Sequence, residues 1–213
     1  MRIELSYQTQ GLPAPYAFSV FCSIVMRKND LELDFKLEYL DRENVSREEI
    51  LAEGFSEDDD YSWNGKLGKN WCIAIESLLD VPLLDLPKDD FYVHLATAEQ
   101  EGFPDLPGDV LIQELIQAVF ETSGKEAPLT FFVFLKKKQH RLSWEFASRT
   151  SYIDEKELKW EDSLDLMQAL YGSEFDDNNV TKKAIERSIS FDAVNWIEFK
   201  VNSFWDCLIQ LQK

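Results

Sequence analysis

The stretch EDDDYSWNGKLGKN, residues 57–70, offers oxygen ligands at a spacing that suits a calcium ion. Asp60, Ser62, Asn64 and Gly65 fall at positions one, three, five and six of a calcium-binding loop. Such a loop wraps side-chain oxygens around the ion, turns on a glycine at six, and draws two more oxygens from a glutamate at twelve. Counted from Asp60, position twelve is Trp71, which has no carboxylate; counted from Asp58, the glycine is lost. The stretch is therefore expected to be a loop entering a helix. Asn64-Gly65 would make a tight turn, and the acids would sit where a helix N-terminus favours negative charge. No metal and no cofactor are expected. Calcium should raise the melting temperature no more than sodium chloride of matched ionic strength. A calcium-specific rise, lost on Asp60→Ala, would overturn this.

Other chemistries find less support. GKLGKN lacks the phosphate-loop pattern: Trp63 stands where its first glycine belongs, and Asn70 where a Ser or Thr should follow the lysine. With eight glycines and no G-x-G-x-x-G, a dinucleotide fold has no basis. His94 and His140 have neither a G-x-S-x-G nor a Cys partner that would make them a catalytic base. Forty acidic residues place some carboxylates near each other in any fold, so paired acids are not diagnostic. A second acidic pair, Asp176 and Asp177, resembles the Asp58, Asp59, Asp60 run. Of six tryptophans, Trp63 and Trp160 have polar neighbours and are expected to be exposed, where they would suit a basic, partly apolar surface.

The elements that must position these residues are legible from periodicity. Phe18, Val20, Cys22, Ile24 and Met26 share one face; Leu31, Leu33, Phe35, Leu37 and Tyr39 alternate with charged residues, so 18–41 is predicted to be a hairpin. A short helix follows, capped by Ser46 with Glu49 three residues on. Helices are predicted at 66–80, after Asp109 as far as Gly124, at 161–171 and 181–189, and from Ser203 to the end. Residues 91–98 and 195–201 read as strands, 101–109 as a loop, and 130–148 as a second hairpin tipped by Lys136, Lys137 and Lys138. The fold expected is α+β, a mostly antiparallel sheet of about six to seven strands covered by helices. Leu33, Phe35, Ile116, Val133, Trp144 and Leu208 should be buried. The order hairpin, helix, acidic loop, helix, strand, helix covers 18–124 and recurs over 130–212, which points to two duplicated β-β-α-α-β-α halves, residues 1–125 and 126–213.

Charge bounds the function. The net charge of −18 opposes phosphate backbones and anionic membranes, so neither nucleic acid nor a membrane is expected as a partner. Cys22, Cys72 and Cys207 are odd in number, far apart and set among apolar neighbours, as in a reduced, cytoplasmic protein. The expected function is a non-catalytic interaction protein that binds a basic protein surface through Asp58, Asp59, Asp60, Trp63, Trp160, Asp176 and Asp177. Adaptor and immunity proteins are similar in composition alone. The alternative is a carboxylate-based enzyme with a divalent cation held by Asp58, Asp60 or Asp176.

Overall fold

The computed structural model describes residues 1–9, 11–87, 92–105, 109–172 and 180–212, with Asp109 described by its backbone alone. The chain divides into two compact units, Met1–Glu126 and Ala127–Lys213. Each is built on an antiparallel sheet of seven strands among the described residues.

The first unit runs β1 (Arg2–Gln8), β2 (Phe18–Met26), β3 (Asp30–Tyr39), a one-turn 3-10 helix at 42–44, α1 (Arg47–Ala52), β4 (Tyr61–Gly68), α2 (Lys69–Leu79), β5 (Leu83–Leu84), β6 (Tyr92–Ala96), β7 (Glu101–Pro104) and α3 (Asp109–Thr122). Its strand order is β4-β3-β2-β1-β6-β7-β5. Alternation builds the core: Ile3, Leu5, Val20, Cys22, Ile24, Leu31, Leu33 and Phe35 turn to one face and are almost wholly buried. On β3 the intervening residues Glu32, Asp34, Lys36 and Glu38 turn to the other face. The helix α2 lies against β3 and β4 and buries Trp71, Ile75 and Leu78. Burial pushes the Cys22 thiol far above its ordinary range, with Asp34 and Glu4 adding to the effect.

The second unit runs β8 (Leu129–Leu135), β9 (Lys138–Glu145), β10 (Thr150–Ile153), β11 (Lys156–Leu158), α4 (Trp160–Tyr171), β12 (Val180–Thr181), β13 (Ser188–Ser190), β14 (Trp196–Glu198) and α5 (Asn202–Leu211). Its order is β11-β10-β9-β8-β13-β14-β12. Numbered within each unit, both sheets read 4-3-2-1-6-7-5, and in both a helix follows the fourth strand and another the seventh. The units therefore share one topology. The six residues expected to be buried are all buried.

The correspondence runs one strand out of step with the sequence expectation. The β8–β9 hairpin matches β1–β2, not β2–β3, and α4 matches α2. Among the described residues the helix α1 has no counterpart, since β10 and β11 are joined by residues 154–155 alone. Eight strands lie outside the segments read as strands from periodicity. Of these, β5, β7, β10, β11, β12 and β13 are at most four residues long and too short to show a period. The strand β4 carries Asn-Gly, and β1 is missed although Ile3, Leu5 and Tyr7 alternate along it. Residues 181–189, predicted helical, instead end β12, turn, and begin β13. The turn is fixed locally, as the Ser188 hydroxyl donates to Ile185 O at 2.6 Å. The shared topology also does not equate the two acidic runs: in chain order residues 57–60 precede the fourth strand of their unit, whereas Asp176 and Asp177 follow the helix after it.

Candidate functional site: an acidic excursion on the first unit

The opening motif is not a loop. Residues 61–68 form β4, in register with β3: Tyr61 faces Leu37, Trp63 faces Phe35, Gly65 faces Leu33 and Leu67 faces Leu31. Asn64-Gly65, expected to be a turn, is mid-strand. The spacing that mimics calcium-loop positions one, three and five is a strand's period of two. It puts Ser62 and Asn64 along the exposed side of β4, about 6–7 Å apart, while Asp60, just before the strand, has its carboxylate bonded to Tyr39 N. Among the described residues, no group of three or more His, Cys, Asp or Glu side chains is placed to hold a metal.

Gly65 is needed for packing rather than turning. Trp63 is half-buried and lies across it, so a Cβ on residue 65 would sit 2.0 Å from the indole Cζ2. Trp160, expected to be exposed, is 6 % exposed. It packs edge-on against Phe146 at 5.4 Å under the Arg149 guanidinium, because its helix folds back over the sheet of the second unit. Asp176 and Asp177 lie outside the described residues.

The acids that remain gather in one place. Between β3 and β4 the chain makes a 21-residue excursion, residues 40–60, with nine acidic residues against Arg42 and Arg47. In the second unit the same connection, β10 to β11, is the two-residue turn Asp154-Glu155. Divided between the units, 26 acidic and 10 basic residues give residues 1–126 a net charge of −16, while 14 and 12 leave residues 127–213 at −2. Nearly all the excess charge thus belongs to the first unit, and its largest insertion supplies −7.

A knot around Arg42 shapes this excursion. The guanidinium stacks 3.6 Å from the Tyr39 ring centroid and 4.8 Å from that of Phe55. Its Nη1 donates to Ser56 O at 2.8 Å and to Asp59 Oδ2 at 3.0 Å, and its Nε donates to Pro15 O at 3.3 Å. Asp59 also accepts from the Ser56 backbone N–H at 2.8 Å and the Ser56 hydroxyl at 2.5 Å. Asp60 accepts from Tyr39 N at 2.8 Å, so it closes the neck of the excursion. Phe55 meets Tyr16 and Tyr39 edge-on, each at 5.6 Å, and the Tyr16 hydroxyl donates to Glu53. The Ser46–Glu49 capping box forms as expected. Asp59 and Asp60 are therefore structural, whereas Glu43, Glu48, Glu57 and Asp58 are exposed, as is Leu51, at 51 %. Sequence reading found the acids but missed Arg42 and its aromatic seat. The available signal was a lone arginine between Asp41 and Glu43, followed by Phe55.

Burial would raise the Asp59 pKa, but the Ser56 hydroxyl, the Ser56 N–H and Arg42 outweigh it and hold the carboxyl below its usual range. A carboxyl depressed in the folded state contributes stability at pH values above its unfolded pKa, about 3.9, and loses it as pH falls through the folded value. Amide protection of residues 41–60 is therefore expected to fall on acidification below about pH 4, ahead of the β1–β3 core. In Asp59→Asn the protection should be lower at neutral pH and flat across this window. Loss of protection at the same pH in wild type and variant would refute the assignment.

The two histidines sit in ordinary pairs. His94 Nε2 lies 3.4 Å from Glu101 Oε1, with its ring 5.1 Å from Phe103. His140 Nδ1 is 2.9 Å from Asp154 Oδ2, whose other oxygen accepts from Arg141 N at 3.0 Å. A surface cleft of about 550 Å³ is lined by Met1, the Arg2–Glu4 ion pair at 2.8 Å, Leu79 and residues 96–100. No helix among the described residues is long and apolar enough to cross a membrane. Compared with family models, with curated proteins and with solved structures, the chain finds no match.

Proposed function

We propose that the protein is a non-catalytic interaction protein whose first unit docks a basic protein surface through the excursion at residues 40–60. The observation that carries this reading is the contrast between two units of one topology. One closes its third-to-fourth strand connection with two residues, and the other expands it into a braced segment of net charge −7. A flexible acidic tail would serve solubility equally well. Bracing by Arg42, Asp59 and Asp60 holds the exposed carboxylates in fixed positions, which favours recognition by lowering the ordering cost of binding. Leu51 and the half-buried Phe55 add an apolar element among the acids.

Attraction between opposite charges speeds association and weakens with salt, as the Debye length shortens from about 30 Å at 0.01 M to about 8 Å at 0.15 M. The test is capture of proteins from the native organism on immobilised chain at low salt, followed by salt elution. A basic protein should be retained by the wild type and released by salt. Retention should drop at least several-fold for Glu43→Gln/Glu48→Gln/Asp58→Asn, a variant that leaves the Arg42 knot intact. Equal retention by both would remove the excursion from the interface.

A further inference from the structure

We infer that the open edge of β4 takes up an extended basic segment of the partner as an added antiparallel-sheet strand. This deepens the proposed function and rests on its choice of a basic partner. The sheets end in four edges, and among the described residues three are short: β5 has two residues, β11 three and β12 two. Such brevity is how proteins blunt a sheet edge. The fourth edge, β4, is eight residues long, with no proline to interrupt it.

Which backbone groups it offers follows from the register. Arg27 N donates to Asp30 O at 2.9 Å, closing the β2–β3 turn, so even-numbered residues of β3 bond to β2 and odd-numbered ones face β4. Leu40 N donating to Ala17 O at 2.8 Å, and Tyr39 N to Asp60 at 2.8 Å, fit the same parity. On β4, Tyr61, Trp63, Gly65 and Leu67 therefore bond to β3. The N–H and C=O groups of Ser62, Asn64 and Lys66 point outward, and no described residue hydrogen-bonds to them.

The side chains around this edge select the occupant. Lys66, the usual kind of edge guard, is drawn back onto β3, 3.2 Å from Glu32 and 3.7 Å from Asp30. Trp63, lying over Gly65, gives an apolar flank on the core-side face. Glu57, Asp58, Asp59 and Asp60 lead directly into the strand, so its N-terminal end is acidic. A second copy of the chain would bring one unit of net charge −16 against another, which disfavours pairing between copies. A segment alternating apolar and basic residues meets both the flank and the charge.

The test uses the full chain and a synthetic eight-residue peptide of alternating Lys and Val, with two further versions, one N-methylated at every Lys and the other at every Val. In a strand, side-chain face and N–H direction alternate together, so one methylated version keeps its pairing edge free and the other blocks it. Strand addition predicts that one version binds like the parent and the other at least tenfold more weakly. It also predicts slowed amide exchange at Ser62, Asn64 and Lys66 on binding. Asn64→Pro removes one outward N–H and spares the β3 ladder, so it should lose the peptide while melting near the wild type. If that variant fails to fold, the methylated pair on wild-type chain still decides. Equal binding of both methylated versions, still weakened by salt, overturns strand addition and leaves the charge reading standing. No binding of the parent peptide also overturns strand addition, and polylysine, which needs no strand, then tests the charge reading alone. Concentration-dependent dimers that protect the same three amides would overturn it in favour of a second copy.

Discussion

Arg42→Ala is expected to release residues 41–60 from the first unit as a group while β1–β3 stay folded. The side chain is 10 % exposed and links four segments: it stacks on Tyr39 and Phe55 and donates to Pro15 O, Ser56 O and Asp59. Truncation strips Asp59 of its cation and leaves two carbonyls without that donor. Losing a hydrogen-bonded charge in such a network costs about 3 kcal/mol, more than any exposed ion pair on this unit would return. The nearby Arg47–Glu57 pair, 3.1 Å apart with both side chains more than half exposed, is a fair control, and Arg47→Ala should cost well under 1 kcal/mol. Hydrogen exchange should show protection lost over 41–60 in Arg42→Ala, unchanged in Arg47→Ala, and retained on β2 in both. Lysine at position 42 should not rescue it, because an ammonium can neither stack flat on Tyr39 nor reach three acceptors in a fork. Full protection of 41–60 in Arg42→Ala would mean that the capping box and aromatic contacts alone brace the excursion.

What sequence alone could show was set by how strongly each segment repeats its pattern. Five alternating apolar residues on β2 and five on β3 settle their period, and Gly124 stops α3 where a left-handed residue is needed, at φ 74°. The strand β4 was hidden by its own chemistry. Asn-Gly is the strongest short turn signal, yet here the glycine makes room for Trp63 and the asparagine lies along a solvated edge. Neither role is visible without knowing the partner strand. At the tip of the β8–β9 hairpin the chain does the reverse. Lys136 and Lys137 take φ of 53° and 61° with no Gly or Asn, because Glu186 accepts from both of their N–H groups, at 2.7 and 3.2 Å. That carboxylate is about fifty residues away in sequence. The acidic run was legible as charge. Its standing as an insertion needed the second unit as a ruler, and its rigidity needed Arg42. Asp59 and Asp60 look identical to Asp58 in sequence, and only their acceptor roles separate the bracing acids from the exposed one.

Trp144→Ala should destabilise the second unit by about 4 kcal/mol, the largest single loss predicted for this chain. Trp144 is 1 % exposed, and its ring is stacked on Phe131 at 5.4 Å with an interplanar angle of 11°. Phe131 in turn meets Phe204 of α5 at 6.3 Å, so the deleted ring lies under both sheet and helix and the cavity cannot close by moving one side chain. In a unit of 87 residues, such a loss is a large part of a typical stability and should lower its melting temperature by roughly 15 °C or more. A separate, polar contribution comes from the indole N–H, which donates to the buried Ser163 hydroxyl at 3.1 Å, while that hydroxyl donates to Trp160 O at 2.7 Å. Ser163→Ala should cost about 1–3 kcal/mol, because it strands a buried donor. Trp144→Phe keeps a ring against Phe131 and removes the donor, so it should cost less than the alanine variant. The decisive comparison is Trp144→Phe/Ser163→Ala, in which both members of the pair are apolar. Its loss should fall below the sum of the two single losses, since no indole donor remains unpaired. Chemical denaturation of all four variants measures this. Strict additivity would show that the Trp144–Ser163 bond adds nothing beyond packing, and the alanine loss would then be due to the cavity alone.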